Sequence, residues 1–259
     1  MAEVVIVPDR RAAGALVADE VARLVRERPD TVLGVATGST PLPVYEALRE
    51  RLHGVDLSRV QAFALDEYVG LDPQHPESYR SVIQREVVEP LGLDPRRVHV
   101  PDGSVAGIAQ AGEKYEQAIA AAGGIDLQLL GIGTDGHIGF NEPGSSFASR
   151  TRVKTLTRQT REDNARFFDD VDDVPRHCIT QGLGTILDAR HLVLLAFGSG
   201  KAEAVAGAVE GPVTASLPGS AIQLHPRVTV VIDEEAAVGL RFADYYRETY
   251  AHKPAWQGL

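Results

Sequence analysis

Leu129 to Pro143 reads Leu-Leu-Gly-Ile-Gly-Thr-Asp-Gly-His-Ile-Gly-Phe-Asn-Glu-Pro. The apolar run Ile125 to Ile132 leading into it reads as a buried strand. It breaks into Gly131, Gly133, Gly136 and Gly139, and three ionisable side chains, Asp135, His137 and Glu142, follow closely. Glycines let a backbone turn sharply and approach a ligand. A strand opening into such a loop is where open α/β sheets place their ligands. A histidine flanked by two carboxylates is held in one tautomer and poised for proton transfer near neutral pH. A polar turn whose histidine caps a backbone group would carry the same residues, so the rest of the chain decides.

Outward from this loop, apolar strands alternate with helical patterns. Val4 to Val7, Val32 to Ala36, Val60 to Leu65, Val98 to Val100, His191 to Phe197 and Val228 to Ile232 read as strands. Leu16, Val17, Val21, Leu24 and Val25 recur at helical spacing until Pro29, and Val44, Leu48 and Leu52 line a second helix. Ser78 or Glu77 caps a helix through Val82 and Val87, and Ile108, Tyr115 and Ile119 mark another that ends at Gly123-Gly124. Thr180 to Leu187 and Glu234 onward also read as helices. The alternation predicts an α/β fold: a doubly wound, mostly parallel sheet with helices on both faces. Right-handed crossovers then bring the turns at Thr37, Asp66, Gly133 and Gly198 to one rim.

Two of those turns suit an anion. In Thr37-Gly38-Ser39-Thr40-Pro41, Thr40 is the expected N-cap, and the N–H groups of Gly38, Ser39 and Thr40 lack helical partners. It is neither a Walker loop nor a dinucleotide fingerprint. Gly198-Ser199-Gly200-Lys201 opens a second helix and adds a lysine where a bound anion offsets an unfavourable dipole. Asp66-Glu67-Tyr68 puts carboxylates at a strand end. Ser149 to Arg166 carries Arg150, Arg152, Lys154, Arg158, Arg161 and Arg166, a local reversal of charge that suits an anion or a mobile flap, expected over about residues 150–180.

The 259 residues form one expected domain, 1–259, without a linker or repeat. A net charge of −10 argues against nucleic acid as a partner, and no basic helix-turn-helix segment is present. The lone Cys178 forms no internal disulfide, no Cys/His spacing suggests zinc, and no run is long enough to span a membrane. The apolar start of Met1 to Arg10 is too short for a signal peptide, so a cytoplasmic setting is expected.

Taken together, the chain resembles the glucosamine-6-phosphate deaminase family. The resemblance runs from Thr37-Gly38-Ser39-Thr40-Pro41 to Leu224-His225-Pro226. It rests on Leu65-Asp66-Glu67-Tyr68-Val69-Gly70, His75-Pro76-Glu77-Ser78-Tyr79, Asp135 to Pro143, Ser149 to Thr155 and Ser199-Gly200-Lys201. It implies a Rossmann-like fold. The implied reaction, in amino-sugar (N-acetylglucosamine) catabolism, converts D-glucosamine 6-phosphate and water to D-fructose 6-phosphate and ammonia. No metal or organic cofactor is implied. Carried over, Asp66 is the base between C2 and C1, and His137 opens the ring with Asp135 and Glu142 orienting it. Gly38, Ser39, Thr40, Arg166 and Lys201 hold the phosphate. The resemblance also implies regulation by N-acetylglucosamine 6-phosphate at Ser145, Arg152, Lys154 and Thr155, one of Tyr245, Tyr246 or Tyr250 joining in, within a homo-oligomer such as a hexamer. Thr134, where Asn is frequent, and Pro175-Arg176-His177-Cys178 depart from the pattern. The related 6-phosphogluconolactonases share Gly-x-Gly-x-Asp-Gly-His but usually continue toward Ser-Leu-Phe-Pro, whereas this chain continues Gly139-Phe140-Asn141-Glu142-Pro143. A sugar-phosphate sensor on a related fold is the other alternative.

Overall fold

The computed structural model describes residues 2–168 and 170–259. Met1, in the N-terminal run, and Asp169, within the expected flap, lie outside them. The strands are β1 (Glu3–Val7), β2 (Val32–Val35), β3 (Gln61–Ala64), β4 (Asp66–Tyr68), β5 (Val98–His99), β6 (Leu127–Gly131), β7 (Arg152–Thr155), β8 (His177–Thr180), β9 (Leu192–Ala196) and β10 (Val228–Asp233). Among the described residues, seven of them form a parallel sheet in the order β1-β10-β9-β6-β2-β3-β5. The other three form an antiparallel sheet, β4-β8-β7.

The helices are α1 (Arg10–Glu27), α2 (Leu42–Arg51), α3 (Tyr79–Ile83), α4 (Glu89–Leu91), α5 (Ile108–Ala121), α6 (Arg158–Asn164), α7 (Leu183–Leu187), α8 (Ala202–Glu210) and α9 (Ala243–Ala251). A π turn, Gln84–Val88, joins α3 to α4. Alternation along the strands assigns the two cores. Leu33, Val35, Leu129, Val193 and Leu195 meet α1 and α2 on one face. Val32, Leu130, Leu192, Leu194 and Val230 meet α5, α7 and α8 on the other. Strands buried on both faces read as continuous apolar runs, which is why the sequence marks them clearly. No helix is long and apolar enough to cross a membrane.

Three local expectations need correction. The stretch expected as a helix from Thr180 to Leu187 splits: Thr180 ends β8, and the helix starts only at Leu183. Pairing of His177–Thr180 with β4 and β7 overrides local helical character. The stretch from Glu234 is turn rather than helix, and α9 begins at Ala243. There Gly239 passes so close to α8 that a Cβ would stand 2.9 Å from the Ala202 carbonyl. At α2, the N-cap is Pro41 rather than Thr40, with no side-chain capping bond.

Candidate active site

β2 and β6 lie side by side, but the chain leaves β2 outward to β3 and leaves β6 in the opposite sense to β9. Such a reversal opens a crevice beyond the strand ends. A cavity of about 570 Å³ occupies it. Gly38, Ser39 and Thr40 line it from the turn after β2, and Asp66 from β4. His137 comes from the loop after β6, Lys201 from the turn after β9, and Arg166 from the segment following α6.

Tyr45 on α2 fixes the end of β2. Its hydroxyl donates to the Ala36 carbonyl at 2.7 Å and accepts from the Ala36 N–H at 3.1 Å. Gly38 then turns with φ +86°, a conformation that side chains rarely adopt although the space beside it is open. On the far side, the Gly198 N–H donates to both Asp233 carboxylate oxygens at 3.0 Å, holding the turn that presents Lys201. Burial lowers the Lys201 pKa, Asp163 opposes that, and the charge of Arg166 adds to it. Asp163 and Arg166 are thus near neighbours of this ammonium.

The loop after β6 folds back on itself: the Gly133 N–H donates to the His137 carbonyl at 2.9 Å. A Cβ on Gly133 would enter the His137 ring, so this position requires glycine. Asp135 accepts from the His137 N–H at 3.1 Å and stands 2.6 Å from its Nδ1, close, but not aligned as a full hydrogen bond. Burial works against the charge on Asp135. The contact and charge of His137 outweigh it and hold the carboxyl down at about 2. Glu142 is buried; Oε1 accepts from the Thr157 N–H at 3.2 Å, while Oε2 is without a partner among the described residues. The donor atoms of Asp135, His137 and Glu142 lie within 4.8 Å of one another, the arrangement of an acid–base set or of metal ligands.

Asp66 is 6% exposed. Burial pushes its carboxyl up to about 8, and the neighbouring Glu67 charge adds to this. The Phe140 N–H and the Thr180 hydroxyl favour ionisation but do not reverse it.

The regulatory candidates do not line the cavity. Ser145 donates to the Glu142 carbonyl at 2.7 Å, and Arg152 donates to the Asn141 side chain at 2.7 Å, so both sit behind the loop that follows β6. Lys154 and Thr155 lie on β7, opposite Cys178 and His177. The cationic run is mostly occupied by structure. Arg150 pairs with Glu116 and Asp188, Arg158 with Glu162, and Arg161 donates to the Val171 and Val174 carbonyls. Arg166 is the member of that run that lines the cavity.

Sequence reading misses Arg10, Tyr79 and Phe168, which also line the cavity. Arg10 lies over the Phe197 ring at 5.6 Å. Its signal was slight, a basic residue opening a helix after Pro8-Asp9. Thr134, one of the departures, sits at the rim and its hydroxyl donates to Asp163 at 3.3 Å.

Residues 10–231 match the model of the family described as glucosamine-6-phosphate isomerases/6-phosphogluconolactonase. The chain is 64% identical over 260 residues to the glucosamine-6-phosphate deaminase of Streptomyces coelicolor, covering 99% of this chain and 100% of that one. It is 60% identical over 270 residues to the enzyme of the same name from Bifidobacterium longum, with both chains fully covered. A solved monomeric glucosamine-6-phosphate deaminase is similar with TM-score 0.88 and 40% identity, over 92% of this chain and 99% of that one. A 6-phosphogluconolactonase from Leishmania guyanensis has TM-score 0.73 at 22% identity, over 92% and 98%, a likeness of fold.

Proposed function

The chain belongs to the family of glucosamine-6-phosphate isomerases and 6-phosphogluconolactonases, and from that premise we propose that it converts D-glucosamine 6-phosphate and water to D-fructose 6-phosphate and ammonia. The observation that carries this reading is the convergence of Asp66, His137, Lys201 and the Gly38–Thr40 turn on one cavity. The phosphate binds at one end, to the Gly38–Thr40 amides and hydroxyls, Arg166 and Lys201. His137, held by Asp135 with Glu142 beside it, moves the proton that opens the pyranose ring. Asp66 then removes the proton from C2 of the open aldehyde and returns it to C1, while O1 takes up a proton and the C2 amine gives one up. This leaves an imine at C2; water adds there and ammonia departs. A carboxyl poised near the working pH both takes and returns a proton efficiently. Binding the remote phosphate fixes C1 and C2 against it.

These steps call for no metal and no organic cofactor. The reading extends to a cytoplasmic enzyme of N-acetylglucosamine catabolism, a single domain whose 150–180 segment moves as a flap over the sugar. It extends also to a homo-oligomer, a hexamer in its fullest form, regulated by N-acetylglucosamine 6-phosphate through Ser145, Arg152, Lys154 and Thr155. The test is direct: incubation with glucosamine 6-phosphate yields ammonia and fructose 6-phosphate in equal amounts. Hydrolysis of 6-phosphogluconolactone with no ammonia from the aminosugar would instead make the chain a lactonase. Binding without turnover of either would make it a sensor.

A further inference from the structure

Next to Asp66 stands a second buried carboxylate that the mechanism above leaves idle. Glu67 is 6% exposed, and three backbone N–H groups converge on it. Its Oε1 accepts from Tyr68 at 2.8 Å and from Tyr79 at 2.9 Å, and its Oε2 from Arg80 at 2.9 Å. Tyr79 and Arg80 are the first two residues of α3, whose next free N–H, that of Ser81, is taken by the Ser78 hydroxyl at 3.2 Å. One side chain thus ties the start of α3 to β4. α3 carries Tyr79 and Val82, which line the cavity, and β4 carries Asp66 and Tyr68, which also line it. The Tyr68 and Tyr79 rings meet with centroids 4.9 Å apart.

On the reading of Asp66 as the proton-transfer base, we propose that Glu67 is a positioning residue that locks α3 to β4 and fixes on which of two adjacent carboxyls the transferable proton resides. Two neighbouring buried carboxyls do not both ionise freely. Hydrogen bonds to a carboxylate favour its charged form. Glu67 has three N–H donors, whereas Asp66 is faced by one N–H and one hydroxyl. The charge therefore settles on Glu67, and the proton on Asp66. Burial raises the Glu67 carboxyl too, while its N–H donors and the Arg80 charge work against that rise. The other ionisable groups coupled to Asp66 are Tyr68 on β4, Tyr79 on α3, Tyr115 on α5 and Cys178 on β8. Burial pushes all four upward, so they stay neutral in the working range. Glu67 is the resident anion against which Asp66 releases its proton.

The experiment is the pH dependence of ammonia formation by wild type, Glu67→Gln and Glu67→Asp, with a thermal melt of each. Glu67→Gln keeps the volume and loses the charge, and its NH2 cannot accept from the Arg80 N–H, so one tie to α3 is lost as well. Its acid limb of kcat/KM is expected to move down by about one pH unit or more. Glu67→Asp falls short of α3 and loses the Tyr79 and Arg80 donors, so the charge is held less firmly: KM rises, and the limb moves the same way but by less than in Glu67→Gln. A Glu67→Gln enzyme that melts like wild type with an unmoved limb would overturn the proposal. If neither variant folds, infrared titration of the wild type decides, with Asp66→Asn as the reference. A buried carboxyl titrating well above the ordinary range, and missing in the reference, supports it; no such band overturns it. Failure of the wild type to release ammonia at any pH would instead defeat the functional reading on which the proposal rests.

Discussion

Burying Asp66 costs stability at neutral pH, and the sign of that cost follows from where its proton sits. The folded carboxyl titrates at about 8 against an ordinary 3.8. Between those values the native state holds a proton that the unfolded chain has released. The contribution of this group to stability is therefore fully present below pH about 4, declines as pH rises, and is gone above about 8. Asp66→Asn should lose C2 deuterium exchange by about 10²–10⁴-fold and melt higher than wild type by a margin that widens from pH 4 to pH 8. Paired melting curves across that range check it; a margin that is constant or shrinks counts against a protonated Asp66. At the other end of the cavity, Lys201→Ala should weaken inorganic phosphate and phosphosugars alike by roughly 1.5–3 kcal/mol, read as phosphate inhibition constants. The position of Asp66 was legible as a carboxylate at a strand end. Its elevated proton affinity was not, because that depends on Glu67 beside it and on burial beneath β8, a segment more than a hundred residues later in the chain.

The elements that sequence reading handled least well are those of the small sheet. β4 has three residues and β7 and β8 four each, too short for a period-two pattern to stand out. Their partners lie far apart in the chain, so no hairpin turn announces them. The central parallel strands β2, β6, β9 and β10, by contrast, are buried on both faces, and their apolar runs were legible to within two residues of their observed ends. The small sheet is anchored to the body by Glu116 on α5. Its carboxylate accepts from the Thr151 N–H at 2.8 Å and the Thr185 hydroxyl at 2.6 Å, binds the Thr151 hydroxyl, and pairs with Arg150. Glu116→Ala leaves the N–H of the buried Thr151 unsatisfied, costing about 1–3 kcal/mol. Amide exchange at 150–156 should accelerate in that variant, while exchange in β9 and β10 stays slow. Equal acceleration everywhere would show that Glu116 supports the whole fold rather than this edge.

Across the whole molecule, the strand order made the site, and strand order is the property a single sequence states least directly. Alternating strands and helices implied a parallel sheet with its turns on one rim. They did not say that the reversal falls between β2 and β6, which is what opens the cavity. The proposed regulation belongs at this scale, because Ser145 and Arg152 brace the loop that carries Asn141 and Glu142 rather than touching the cavity. Velocity curves with and without N-acetylglucosamine 6-phosphate should separate, and Arg152→Ala should bring them together; superimposed wild-type curves would remove the regulatory site. One further consequence lies in the edge of the large sheet. Among the described residues β1 pairs only with β10 there, and α9 packs against it. On the ribosome, Glu3–Val7 emerges about two hundred residues before its partner exists. The nascent chain must carry an apolar strand with an open edge through nearly all of translation, and the last strand made is the one that pairs with the first.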